Sequence, residues 1–368
     1  MKFLKLYFPL SASFLILFAC SQPDTASKYE TINHDEVLVC DLSKVGDTVE
    51  IALSNLIDNC DMIQLETHPD AFFDRAWHTV VTENYILIKS YGRHSVKLFE
   101  RSGKFIRNIG SIGKGPGEYI SLYGIQLDEK KELIYLTPFA NAKKIMVFNL
   151  LGESLPDIPL GIVSGKVRAY IGDDLVTCLC MPFDDQTAIA FQQDHKGTIK
   201  QFVTPLDAQF AQSFDTEIFS YQNGFGLEMH NTVVDTLYEY NTTENRLVPR
   251  FTLQTPDDQK LYFSLFELPK HYYVWIAKTG RLLVNKDTGE SRFVKLKNDF
   301  FGNIDAEIWG GNNGQFINVT AAIDLKEKIE TALNDKNIKD EDRSRLLDIN
   351  KKINEEDSPV VFVGQYTK

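Results

Sequence analysis

From Val80 onward the apolar residues fall in short runs separated by polar turns, and the runs recur as one phrase. Tyr85-Ile86-Leu87-Ile88 is followed by Ser95-Val96-Lys97-Leu98-Phe99, a turn at Glu100-Arg101-Ser102-Gly103, and then Lys104-Phe105-Ile106-Arg107. The phrase returns at 133–136 with 144–148, at 175–191, at 236–240 and at 281–284. Its turn residues, Gly103, Gly152, Gly197, Asn245 and Gly289, follow one another at 49, 45, 48 and 44 residues. Gly and Asn tolerate the left-handed conformation that closes a short hairpin. A period in the forties built only of strands and turns predicts propeller blades. A two-sheet sandwich rarely keeps such a period over so long a stretch. Strand-like Asp61-Met62-Ile63-Gln64-Leu65 near the start and Val360-Val361-Phe362-Val363 near the finish add a further blade, built from both ends so that no sheet edge is left open. The expected fold is an all-β, six-bladed β-propeller over 37–368.

The period changes over 322–356. Ile323, Leu325, Ile329 and Leu333, then Leu346, Leu347, Ile349 and Ile353, follow helical spacing, with a break at Asn334-Asp335-Lys336-Asn337. This predicts a helical hairpin inserted in the last blade, its charged faces solvated. At the other end, Lys2 and Lys5 precede an apolar run over 6–19 that is too short to span a bilayer and reads as a signal peptide, 1–19. The run ends in Leu17-Phe18-Ala19-Cys20 and resembles the lipobox of bacterial lipoproteins, with Cys20 as the lipidated residue and Phe18 as a departure from the usual small or aliphatic residue. The polar stretch 20–36 lacks periodicity and reads as a tether. The expected location is the cell envelope, lipid-anchored, at the outer membrane.

Composition narrows the partners. Lys plus Arg number 39 against 51 Asp plus Glu, a net charge of −12, which becomes −14 once Lys2 and Lys5 leave with the signal peptide. That balance lacks the basic footprint of a nucleic-acid binder. Of the five Cys, Cys40 and Cys60 leave a disulfide or free thiols open. Cys178 and Cys180 share one face of a strand and read as small buried hydrophobes, since CxC lacks the CxxC spacing of zinc knuckles.

No catalytic motif is complete. Gly113-Lys114-Gly115 is followed by Pro116, which has no N–H to offer, and reads as a blade connection rather than a phosphate loop. Gly161-Ile162-Val163-Ser164-Gly165 is not a nucleophile elbow. The seven His are scattered. The pairs Asp173-Asp174, Asp184-Asp185 and Asp257-Asp258 leave calcium open as a cofactor, although adjacent carboxylates are more often solvated turn charge.

Blade geometry still predicts where a ligand sits. The loop between second and third strands and the connection to the next blade emerge on one face, around the mouth of the central channel. On that face fall Tyr91, Arg93, His94, Glu118, Tyr119, Phe139, Asn141, Asp184 and His230. Aromatic rings beside Arg, Asn, Asp and His suit a glycan, by stacking and hydrogen bonds, or a protein partner. A metal-dependent propeller hydrolase or lyase of lactonase type, and a scaffold in an envelope complex, are the alternatives.

The run Gly103-Lys104-Phe105-Ile106-Arg107-Asn108-Ile109-Gly110, continued by Gly113-Lys114-Gly115-Pro116-Gly117-Glu118-Tyr119, resembles exported six-bladed β-propeller lipoproteins of gut-type Gram-negative bacteria, distant relatives of NHL-repeat propellers. Ile63-Gln64-Leu65-Glu66-Thr67, Asp235-Thr236-Leu237-Tyr238 and Ser358-Pro359-Val360-Val361-Phe362 carry the same resemblance. It implies fold and location and leaves the activity open.

Overall fold

The computed structural model describes residues 25–183, 187–211, 213–222, 226–256, 261–309, 311–312 and 314–367. Four strands come first: β1 (Ser27–Ile32), β2 (Asp35–Asp41), β3 (Gly46–Ala52) and β4 (Asp61–Gln64). Blade one is β5 (Ala76–Val81), β6 (Tyr85–Ser90), β7 (Val96–Glu100) and β8 (Phe105–Ile109). A short parallel pair, β9 (Ser111–Ile112) and β10 (Glu118–Tyr119), leads to blade two: β11 (Leu122–Asp128), β12 (Leu133–Pro138), β13 (Ala142–Asn149) and β14 (Ser154–Ser164). Blade three is β15 (Val167–Ile171), β16 (Leu175–Cys180), β17 (Ala190–Asp194) and β18 (Ile199–Val203). Blade four is β19 (Ile218–Gln222), β20 (Leu227–Asn231), β21 (Thr236–Asn241) and β22 (Arg246–Gln254). Blade five is β23 (Phe263–Glu267), β24 (His271–Ile276), β25 (Gly280–Asn285) and β26 (Ser291–Asn298), with β27 (Ile304–Ala306) at its edge. Blade six takes β28 (Gly311–Asn312), β29 (Gln315–Thr320) and β30 (Val360–Gln365) from the C-terminal part and β4 from the N-terminal part. The protein is an all-β, six-bladed propeller.

The runs are apolar without alternation because each blade is buried on both faces. In β6, Leu87 packs toward blade two with Val80, Leu98 and Ile125, while Ile86 and Ile88 pack toward blade six with Ile317 and Val361. The described core divides into six such clusters, one at each junction between neighbouring blades. All five repeat turns have a positive φ, from 51° at Asn245 to 93° at Gly103. Gly103 is required twice over, because a Cβ there would lie 2.1 Å from the Gln64 carbonyl oxygen.

Closure joins the two ends as expected, since β30 pairs antiparallel with β4 from Val360↔Gln64 to Val363↔Asp61. The segment before β4 departs from the expectation of a tether over 20–36. Residues 27–36 form β1 and the start of β2, and β2 pairs parallel with β22 outside blade four. Asp35 accepts from both terminal nitrogens of Arg246, at 2.7 and 2.9 Å. β3 then pairs parallel with β26 outside blade five. The chain thus runs round the rim of blades four, five and six before entering the ring. Edge strands have one neighbour and a solvated face, so β1 is polar enough to read as a loop.

The helices α1 (Ala322–Leu333) and α2 (Asp340–Lys352) lie between β29 and β30, as the helical spacing predicts. They bury Leu325, Ile329, Leu346 and Ile349 against blades five and six. Cys40, Cys60, Cys178 and Cys180 are all free, and Cys40, Cys178 and Cys180 are buried. No described helix is long and apolar enough to cross a membrane.

Candidate functional site

The inner strands set the position of the wall residues. β5, β15, β19 and β23 each start at the end of the channel where the blade connections arrive. Residues at or just before those starts therefore ring one mouth. A cavity of about 1460 Å³ opens there and extends outward between blades five and six beneath α1.

Two aromatic groups with embedded cations form the mouth. At blades five and six, Trp275 and Trp309 lie 5.8 Å apart, and the Arg281 guanidinium stands 5.7 and 5.8 Å from their ring centres. Arg281 donates to Glu307 at 2.6 Å, and the Trp309 indole N–H donates to the same carboxylate at 2.9 Å. Tyr262 meets Trp275 edge-on at 6.0 Å. Tyr262 and Trp309 are exposed, at 44% and 55%, so their faces are open to a ligand. At blade one, Tyr91 meets Trp77 edge-on at 4.3 Å, the Arg75 guanidinium covers Tyr91 at 4.2 Å, and the Lys89 ammonium covers Trp77 at 4.8 Å.

Between the two groups the wall is held by a buried ion pair. Lys166, 1% exposed, donates to the carbonyl oxygens of Phe214 and Thr216, both at 2.7 Å, and to Glu217 at 2.6 Å. Three acceptors occupy all three ammonium protons. Glu217 also accepts from the Tyr123 hydroxyl at 2.6 Å, and Arg168 donates to the Tyr123 carbonyl oxygen at 2.7 Å. Burial pushes the Lys89 ammonium down to about 7, with the Arg168 charge acting in the same direction.

Of the residues expected at this face, Tyr91 lines the cavity. Arg93 is exposed outside the lining. His94 is bonded to Asp74 at 3.2 Å and packs edge-on against Phe72. Phe139 lies under the mouth, against Tyr123 and Phe214. Asn141 is exposed in a turn with a φ of 52°. Asp184 lies outside the described residues.

Two expected residues, Tyr119 and His230, turn inward, and Glu118 bonds within its own turn. Tyr119 is buried in the junction of blades one and two, where its hydroxyl accepts from the Val96 N–H and donates to the Ile109 carbonyl, both at 2.8 Å. The Glu118 carboxylate accepts from the Gly115 N–H at 2.7 Å and so fastens the Gly-Pro-Gly turn. His230, 1% exposed, stacks on Phe263 at 5.5 Å and is bonded to the Val234 carbonyl at 3.0 Å. Burial pulls its imidazole down to about 4, which keeps it neutral. These three shape the blades instead of facing the channel.

Trp77, Arg75, Arg168, Glu217, Tyr262, Trp275, Arg281, Glu307 and Trp309 were not among the expected residues. A signal for some of them existed: the chain holds three Trp in all, and each lines this one cavity. Asp173, from one of the acidic pairs, is bound by Lys131 at 2.5 Å, while Asp184, Asp185, Asp257 and Asp258 lie outside the described residues. Among the described residues no three His, Cys, Asp or Glu converge as a metal site.

A family profile described as a domain of unknown function, DUF4934, matches residues 37–365. The chain belongs to the DUF4934 family. A putative exported protein from Bacteroides fragilis NCTC 9343 is similar in structure over 90% of this chain and 100% of its own, with 16% identity and a TM-score of 0.65. That likeness concerns the fold. PorZ, a surface component of the type-IX secretion system of Porphyromonas gingivalis, matches 64% of this chain and 29% of its own, at 11% identity and a TM-score of 0.38. BamB from Moraxella catarrhalis matches 63% and 75%, at 13% identity and a TM-score of 0.35. Neither of these two is similar enough to bear on function. No curated protein matches the chain.

Proposed function

We propose that this DUF4934 protein is an exported lipoprotein, anchored through Cys20 to the outer membrane, whose propeller mouth binds a saccharide. The observation that carries the binding reading is the gathering of all three Trp, with Tyr91 and Tyr262, on one open cavity. Aromatic faces stack on the C–H faces of sugar rings, and Arg281 and Glu307 are fixed beside them as donor and acceptor for hydroxyls. The export reading rests on the signal-like segment 1–19 with Cys20 at its end, and on the exported relative that shares the fold.

Because every Trp lines the cavity, a ligand seated there changes the intrinsic fluorescence. Titration with a panel of neutral oligosaccharides should give saturable quenching, and Trp309→Ala or Tyr262→Ala should weaken it. Exposed substitutions of this kind usually cost about 0.5 kcal/mol or less, so the melting temperature should hold. Binding that survives both substitutions unchanged would refute the site.

A further inference from the structure

One corner of the mouth gathers three basic side chains, Arg75, Lys89 and Arg168, around the His78 imidazole. His78 and Lys89 face each other across the β5–β6 pair, on the side turned toward blade two. Arg168 reaches in from blade three, past Gly124 of blade two, and brings a terminal nitrogen to 3.5 Å from the His78 imidazole. Arg75 stands over Tyr91, and Lys89 over Trp77. None of Arg75, Lys89 and Arg168 has an ion-pair partner among the described residues.

The acids nearby are spoken for or turned outward. Glu217 is held by Lys166 and Tyr123, Asp74 is bonded to His94, and Asp215 is exposed. Like charges held together in a partly dry wall repel one another, and a shared anion relieves that cost while keeping Lys89 protonated. The overall charge of −12 makes this local surplus of cations the more specific.

We infer that this corner is a subsite for the carboxylate of an acidic sugar, with Arg75 and Arg168 as donors and Lys89 as the supporting charge behind Trp77. It deepens the saccharide reading above and rests on it. A planar guanidinium matches a carboxylate edge with two parallel hydrogen bonds, and the Trp77 and Tyr91 rings beside it offer stacking to the same sugar ring. The opposite corner, where Arg281 is already paired with Glu307, is left for neutral rings.

The test compares tetragalacturonate with its methyl ester on the full mature chain, followed by tryptophan fluorescence. The acid should bind about tenfold tighter than the ester. That preference should shrink as salt is added. Arg75→Gln, at an exposed position, and Lys89→Met should each weaken binding of the acid more than binding of the ester, and so reduce the preference. Equal Kd values for acid and ester overturn the subsite and leave neutral binding standing. A preference that survives both substitutions overturns it, as does the absence of any saturable response to tetragalacturonate below about 10 mM. Loss of ester binding in Trp309→Ala reports separately on the saccharide site itself.

Discussion

Replacing Glu228 by Gln should stabilise the propeller, and the gain should grow with pH. Glu228 sits in β20 with its side chain 1% exposed, and one carboxylate oxygen has no hydrogen-bond partner. Burial, reinforced by the charges of Glu267 and Glu239 and opposed by Lys286, pushes its carboxyl from an ordinary 4.5 up to about 9. The folded protein therefore keeps this proton at neutral pH, whereas the unfolded chain releases it near pH 4.5. Its contribution is fully present below that value and is lost progressively as the pH rises toward 9. At about 1.4 kcal/mol per pH unit, the 2.5 units between 4.5 and 7 amount to a cost of about 3 kcal/mol. Gln has the shape of the protonated acid and carries no titration. Urea unfolding followed by tryptophan fluorescence should show the two proteins nearly equal at pH 4.5 and the variant more stable by about 3 kcal/mol at pH 7. A variant that is less stable at every pH, or a difference that does not change between pH 5 and 8, would refute the reasoning.

Tyr119→Phe should cost about 2 kcal/mol, because it leaves the buried Val96 N–H and Ile109 carbonyl without partners, and should leave ligand binding unchanged; a thermal melt beside the fluorescence titration checks both. Cys20→Ser should move the protein from the membrane to the soluble fraction, and continued membrane association on fractionation would remove the lipoprotein reading.

The repeat of apolar runs and turns was enough to specify the architecture. Strands buried on both faces must read as unbroken apolar runs, and Gly103, Gly152, Gly197, Asn245 and Gly289 must take positive φ, so both signals stand in the local sequence. The helical hairpin was legible for the same reason, through the spacing of Leu325, Ile329, Leu346 and Ile349. The rim strand β1 was not, because a strand with one neighbour buries little, and its partner β2 pairs with β22 some two hundred residues away. The mouth was half legible. Strand reversal put Tyr91 on the face where the cavity opens, but the same rule could not tell Tyr91, which lines the cavity, from Tyr119, whose hydroxyl is locked inside a blade junction. Trp275 in blade five meets Trp309 in the connection to blade six, and closure of the ring brings Trp77 of blade one to the same cavity. Arg168 meets His78 across blade two by the same cause. Residues adjacent along the chain announce strands and turns, whereas the wall of the channel is made of residues that become neighbours only when six separate sheets close on one axis.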